Sequence, residues 1–189
     1  MNDVRRVVTG HDASGKAVFV SDEAVEPVMT ALSRSSAFHV LWNGDDAPHF
    51  PDDGARPPFT TYFPPVGGFR FGMFTLPPAD EPPPGRDVDI AGAIAELRER
   101  LPGLLDHMEP DAPGMHTTAT IDFEVVLSGE VVLELDDGAT VHLHPGDTVV
   151  QKGTRHRWSN PGSVPATLAV FICGAHHDGV AAAARQPLA

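Results

Sequence analysis

An all-β chain with one helix is expected from three features of the sequence. Turn signals recur every roughly eight to twelve residues over the C-terminal half, a spacing typical of a sandwich or barrel. They fall at Gly129, Asp136-Asp137-Gly138, Pro145-Gly146-Asp147, Gly153-Thr154-Arg155 and Asn160-Pro161-Gly162. Second, His116, Thr118, Thr120, Asp122 and Glu124 occupy alternate positions, so an extended strand directs all five to one face and Ile121, Phe123 and Val125 to the other. A polar face opposed by an apolar one suits a barrel with a wet or metal-filled interior. Third, helical periodicity is confined to Val88–Leu101 and its continuation, where Ile90, Ile94, Leu97, Leu101, Leu104 and Leu105 share a face.

Taken in order, Val4–Thr9 and Lys16–Val20 read as two strands around a glycine-bounded turn. A two-stranded hairpin is marginal alone and needs the barrel or another subunit to pack against. Ala37–Trp42 and Phe69–Leu76 read as further strands, with Pro48–Pro65 between them an irregular loop. Pro77–Gly85 holds five prolines in nine residues and breaks the chain before the helix. The helix ends or kinks at Pro102-Gly103 and is placed to cover the barrel mouth or to pack between subunits. Val131–Leu135 and Ala139–Leu143 form a hairpin on Asp136-Asp137-Gly138. Thr148–Gln151 and Thr167–Cys173 complete the strands, and the tail beyond is expected to be loosely held. The organisation is one domain: residues 1–76 a β extension packing on the barrel, 77–110 the linker and helix, 111–175 the core, 176–189 the tail.

Composition narrows the function. The formal net charge is −13, from 26 acidic and 13 basic residues, which opposes nucleic acid and anionic membranes as partners. Hydrophobic residues at 41% of 189 suffice for a buried core. Cys173 is the sole cysteine, so no intrachain disulfide forms and a reducing, cytoplasmic location is expected. In its apolar run it reads as a small core hydrophobe. No apolar run is long enough to span a bilayer and no secretory leader pattern opens the sequence. The expected partner is a small organic molecule.

The segment from His116 to Asn160 resembles the paired motifs of the cupin superfamily. His116, Thr118, Asp122 and Gly129 take the last four landmarks of the first motif, His-x-His followed by Glu and Gly. Gly146, Gly153, His156 and Asn160 take those of the second, with Gln151 where the family has Pro. Thr118 replaces the family's second histidine and Asp122 its glutamate. The resemblance implies a double-stranded β-helix, or jelly-roll, and a divalent metal held by His116, Asp122 and His156. Two imidazoles and a carboxylate form a ligand set suited to Fe(II), and also usable by Zn(II) or Mn(II). It also implies a homodimer, since cupin relatives commonly exchange N-terminal strands.

Three functions are compatible with this reading. One is a metal-dependent enzyme of dioxygenase, decarboxylase, lyase or isomerase type; another is a binding module with an empty or vestigial metal site. The third is a metal-independent cyclase or dehydratase using Glu124 and His156 as acid and base. Glu124 shares the face of Asp122 and is the candidate catalytic group, with ion pairing to Arg155 or Arg157 as its plain alternative. His142 and His144 mimic a ligand pair but lie outside the motif, and His11, His39, His49 and His107 read as solvated or packed. Gln151, Trp158 and Tyr62 are positions that border a pocket or fill a core.

Overall fold

The structure, a computed structural model, describes residues 4–58 and 60–179, without the side chain of Arg34. The end of the expected tail, 180–189, lies outside the described residues. In chain order the elements are β1 (Arg5–His11), β2 (Ala17–Ala24), β3 (Val28–Thr30), β4 (Ser33–Gly44), β5 (Phe69–Leu76) and α1 (Ile90–Arg100). There follow β6 (Thr120–Ser128), β7 (Val131–Glu134), β8 (Thr140–Leu143), β9 (Thr148–Lys152), β10 (Arg157–Ser159) and β11 (Ala166–Gly174). All strand pairs are antiparallel. A six-stranded sheet of order β3-β4-β5-β11-β6-β9 and a three-stranded sheet β10-β7-β8 make the barrel.

Between the sheets lies a core of Val126, Val131, Leu133, Leu143, Ala166 and Leu168, with Phe74, Leu76, Val149 and Trp158 packed against it. Along β6, β7 and β11 these residues alternate with less buried ones, as a half-buried sheet requires. Gly129 makes the turn from β6 to β7 at φ 74, and a Cβ there would lie 2.7 Å from the Cα of Ala166. Glycine is therefore fixed by both backbone conformation and space. The Asp136-Asp137-Gly138 turn joins β7 to β8 as expected, with Asp137 at φ 57 and Leu135 N–H donating to Ala139 O at 2.8 Å.

The six-stranded sheet carries a second row on its outer face. Trp42 pairs with Phe71, Phe71 with Phe171, Phe171 with Phe123, and Phe123 with Val150, one residue from each of five neighbouring strands. Phe71, Phe171, Phe123 and Val150 are exposed.

Three strand features were not expected. β3 is three residues long, β4 begins four residues early in the polar run Ser33–Ser36, and β10 is only Arg157-Trp158-Ser159. The last two are held by partners rather than by their own alternation: Ser33 and Ser35 hydroxyls donate to the Glu81 carboxylate, and Arg157 Nε donates to Glu134 at 2.8 Å across the β10–β7 pair. β3, β4 and β5 are hydrogen-bonded members of the main sheet, whereas β1 and β2 form a separate two-stranded sheet.

α1 starts at Asp89, whose carboxylate accepts from Gly92 N–H at 2.9 Å, and stops before Pro102 and Gly103, the latter at φ 80. Leu97, Leu101 and Leu104 are buried against Val28, Leu32, Phe38, Val40, Tyr62 and Phe63, so the helical segment covers the mouth of the barrel. Ile90, expected on the buried face, is exposed at the far end of the helix. Among the described residues no helix is long and apolar enough to cross a membrane.

Leu168→Ala, at a fully buried position in the centre of the core, should cost about 2–5 kcal/mol in urea unfolding. Leu127→Ala, on the exposed face of β6, should cost well under half of that. Equal losses would show that the core does not lie between the two sheets.

Candidate functional site

The strand that carries the expected site begins later than the sequence suggested, at Thr120, yet its alternation holds. Thr120, Asp122, Glu124 and Val126 are buried on the inner face, and Phe123 and Leu127 are exposed on the outer one. Because β11 and β9 hydrogen-bond to either side of β6, the inner residues cannot rotate out to water. Asp122 is 4% and Glu124 6% exposed.

His116 precedes β6 and is brought in by a two-residue bridge. Its N–H donates to His156 O and the His156 N–H donates to His116 O, both at 2.9 Å. Residues that exchange both backbone hydrogen bonds point their side chains to the same face. The imidazole centroids accordingly sit 4.2 Å apart with planes at 49°. His116 Nδ1 lies 3.0 Å from Gly114 O, and His156 Nδ1 lies 2.9 Å from Thr154 O. A carbonyl only accepts, so each Nδ1 carries the proton and each Nε2 keeps its lone pair. The Gln151 side-chain nitrogen donates at 2.9 Å to Thr154 O, the same carbonyl that His156 Nδ1 faces, and so fixes that acceptor behind the ring. This is an interior role for Gln151. Thr118, where the family pattern has its second histidine, is 1% exposed, and its hydroxyl is 2.7 Å from that of Thr120.

These four side chains open into one cavity of about 320 Å³. Asp122, Glu124, His116 and His156 form its polar floor, and Trp158 and Phe74 stand on the barrel wall. Leu97, Leu104, Leu105, Met108, Tyr62 and Phe63 close it from the helical side. Tyr62 and Phe63 meet edge to face at 5.0 Å, and Phe63 meets His107 in the same way at 4.8 Å. The Tyr62 loop is in turn held by Arg70, whose Nε donates to Thr61 O at 2.9 Å and whose Nη2 donates to Asp45 at 2.6 Å. The cover is fastened to the barrel by Arg155, which donates twice to Glu109 at 2.7 Å and once to Asp136 at 2.9 Å. Arg155 and Arg157 are therefore engaged with Glu109, Asp136 and Glu134, and Glu124 does not pair with either.

Burial dominates the electrostatics of the floor. Glu124 is raised to about 8, first by loss of hydration and then by the neighbouring Asp122. Asp122 is raised to about 6 by loss of hydration, against a smaller opposing contribution from the Thr120 hydroxyl. His156 is lowered to about 4 by burial and then by His116, and His116 is also lowered, chiefly by burial. Tyr62 is raised by burial and by the two carboxylates. Asp122 Oδ1 and Glu124 Oε2 have no hydrogen-bond partner although both are buried.

The donor chemistry fits a divalent cation: two neutral imidazoles with braced Nδ1 and free Nε2, and two carboxylates with unsatisfied oxygens. Among the described residues, however, no three His, Cys, Asp or Glu side chains are gathered closely enough to hold an ion as they stand. His142 and His144 are exposed on and beside β8, outside this cavity.

A jelly-roll barrel with a covered cavity and a His and carboxylate floor is the architecture of a small-molecule site. Residues 105–173 match the family model described as a cupin domain. It is 42% identical over 81 residues to the Oryzines biosynthesis cluster protein J of Aspergillus oryzae, covering 43% of this chain and 41% of that protein. The match thus spans about two-fifths of that relative. It is 28% identical over 167 residues to the Phomopsin biosynthesis cluster protein C' of Diaporthe leptostromiformis, covering 88% of this chain and 76% of that one. It is 25% identical over 171 residues to the cupin-domain-containing oxidoreductase fogC of Aspergillus ruber, covering 89% and 71%.

The shifted carboxylates and imidazoles predict a distinctive stability profile for the metal-free protein. Glu124 titrates near 8 when folded and near 4.3 when unfolded, so the folded state binds more protons in between and stability falls as pH rises across that window. Asp122 acts in the same sense up to about 6. His156, near 4 folded and near 6.5 unfolded, acts oppositely and adds stability as pH rises between those values. Between about 4 and 6.5 the contributions oppose one another, and above about 6.5 Glu124 remains. Urea unfolding should therefore show stability falling by up to ~1 kcal/mol per pH unit from about pH 6.5 to 8. The fall should be absent in Glu124→Gln, and a parent profile that is flat or rising there would contradict the burial of an unpaired Glu124.

Proposed function

We propose that this chain is a metal-dependent cupin enzyme acting on a small organic molecule, with His116, Asp122 and His156 as ligands and Glu124 as the proton-carrying group. One observation carries the proposal: two imidazoles with free Nε2 share an apolar cavity with two buried carboxylates whose oxygens lack partners. A buried charge without a partner is costly, and a cation is the simplest compensation. The names of the similar proteins, among them cupin-domain-containing oxidoreductases, support an enzymatic role of oxidoreductase type.

An Fe(II), Zn(II) or Mn(II) ion bound there would supply open coordination positions and Lewis acidity, and iron would add dioxygen chemistry. The residues of the chain do the rest. His116 and His156 present Nε2 because Gly114 O and Thr154 O hold their Nδ1 protons. Asp122 supplies a buried Oδ1 that has no hydrogen-bond partner in the chain. Glu124 lies two residues further along β6, roughly 6.6 Å on, within reach of a bound substrate rather than of the imidazoles. Held near pH 8, it can give or take a proton close to neutrality. The leucines and aromatic side chains of the cover keep bulk water from the reacting atoms.

A second reading has its own observation. Because no three donor side chains converge as they stand among the described residues, Glu124 and His156 suit a metal-free acid and base pair for a cyclisation or dehydration.

Metal titration of variants separates the two. His116→Ala, His156→Ala and Asp122→Asn should each lower affinity for Zn(II) or Fe(II) by at least tenfold while circular dichroism remains that of the parent. Glu124→Gln should retain the metal and lose turnover. Activity that survives complete chelation in the parent would favour the acid and base pair. Metal loss in Glu124→Gln with retention in Asp122→Asn would exchange the roles of the two carboxylates.

A further inference from the structure

The geometry points to an uncharged, largely apolar ring compound bearing hydroxyl groups as the occupant of this cavity, with carboxylates and phosphates excluded. The inference rests on the reading that this cavity is the functional site, and it is made for the metal-free cavity.

The wall sets the body of the molecule. Leu97, Leu104, Leu105 and Met108 face Phe74 and Trp158 across the space, while Tyr62 and Phe63 present ring edges and faces to it. A flat ring packs against such surfaces in stacked or edge-to-face contact, which adds to the gain from apolar burial. A volume of about 320 Å³ is at the small end for ligand sites and admits a ring with a short alkyl chain.

The floor sets the polar end. Asp122 Oδ1 and Glu124 Oε2 are buried acceptors without donors. An acceptor left unsatisfied costs about 1–3 kcal/mol, which a ligand hydroxyl recovers by donating to it. The two carboxylates lie on one face of β6, roughly 6.6 Å apart along the strand, and so present acceptors along one edge of a ring.

Charge sets what is refused. The described lining holds two carboxylates and no lysine or arginine. The inward-facing cation in register with Asp122 is Arg70, one strand beyond Ile172 and so roughly 10 Å away. Its guanidinium is engaged with Asp45, Gly44 O and Thr61 O. In the metal-free cavity an anionic ligand therefore meets the Asp122 carboxylate with no lining lysine or arginine to offset it. An ammonium group would meet the carboxylates favourably but would lose its hydration against the apolar wall. The neutral hydroxyl alone satisfies both surfaces.

Three probes of matched size test this with the full chain: 4-hexylresorcinol, 4-hexylbenzoate and hexylbenzene, measured by calorimetry at about pH 8 with and without EDTA. The resorcinol should bind roughly tenfold or more tightly than either of the others, a difference of about 1.4 kcal/mol. Glu124→Gln should narrow that preference, and Met108→Trp should abolish binding by filling the cavity. Leu105→Trp serves the same purpose should the first filling variant fail to fold. Benzoate binding as tightly as the resorcinol, hexylbenzene binding as tightly, or indifference to a folded filling variant would each overturn the inference. Preference for the resorcinol in EDTA, together with no metal uptake, would sink the metal-dependent reading and leave this one standing. Metal uptake without the preference would do the reverse.

Discussion

Two carboxylates buried two residues apart on one strand, with no lysine or arginine among the described residues lining their cavity, are the constraint on which the rest of this structure depends. β6 is hydrogen-bonded on both edges, so Asp122 and Glu124 cannot turn away from the interior without breaking the sheet. Their cost in lost hydration must be carried by the surrounding fold. The core of Val126, Val131, Leu133, Leu143, Ala166 and Leu168 begins two residues beyond Glu124 on the same strand face and provides a packed base for that burden. Natural folds accept a local penalty of this kind at working sites, where the same groups recover it on binding.

The histidine pair illustrates how distant stretches build one site. His116 and His156 are forty residues apart and meet through a single reciprocal backbone bridge, with no regular strand on the His116 side. The carbonyls of Gly114 and Thr154, each two residues before its histidine, fix the tautomers. Each ring is thus oriented locally by its own loop and paired globally by the bridge. The cover is organised in the same economical way, because Arg155, next to His156, grips Glu109 at the end of the helical segment.

Much of this could be read from residue order. The alternation 116–124 placed Asp122 and Glu124 inside, the Asp-Asp-Gly turn placed β7 beside β8, and the leucine spacing placed α1 across an apolar surface. What could not be read was decided by partners distant in sequence. β10 is three residues with no pattern of its own, and it exists because β7 supplies Glu134 to Arg157. The polar start of β4 is strand because Glu81, nearly fifty residues on, accepts from its serines. Tyr62 reaches the cavity because buried Arg70 pins an irregular loop, a contact that no periodicity announces. Residue order alone allows Glu124 a rim ion pair as readily as an interior place, and it is the engagement of Arg155 with Glu109 and Asp136 and of Arg157 with Glu134 that separates the two.

The outer row of Trp42, Phe71, Phe171, Phe123 and Val150 bears on the interior through arithmetic rather than contact. A strand has two sides, so which side chain meets the cavity depends on whether its position is odd or even. Were β6 to slide by one residue, Phe123 and Val125 would face the cavity and both carboxylates would face water. Aromatic neighbours across adjacent strands reward one alignment and penalise its neighbours. The face turned away from the chemistry thus keeps count for the face that performs it, and a substitution on the exterior can reach the site by changing its parity.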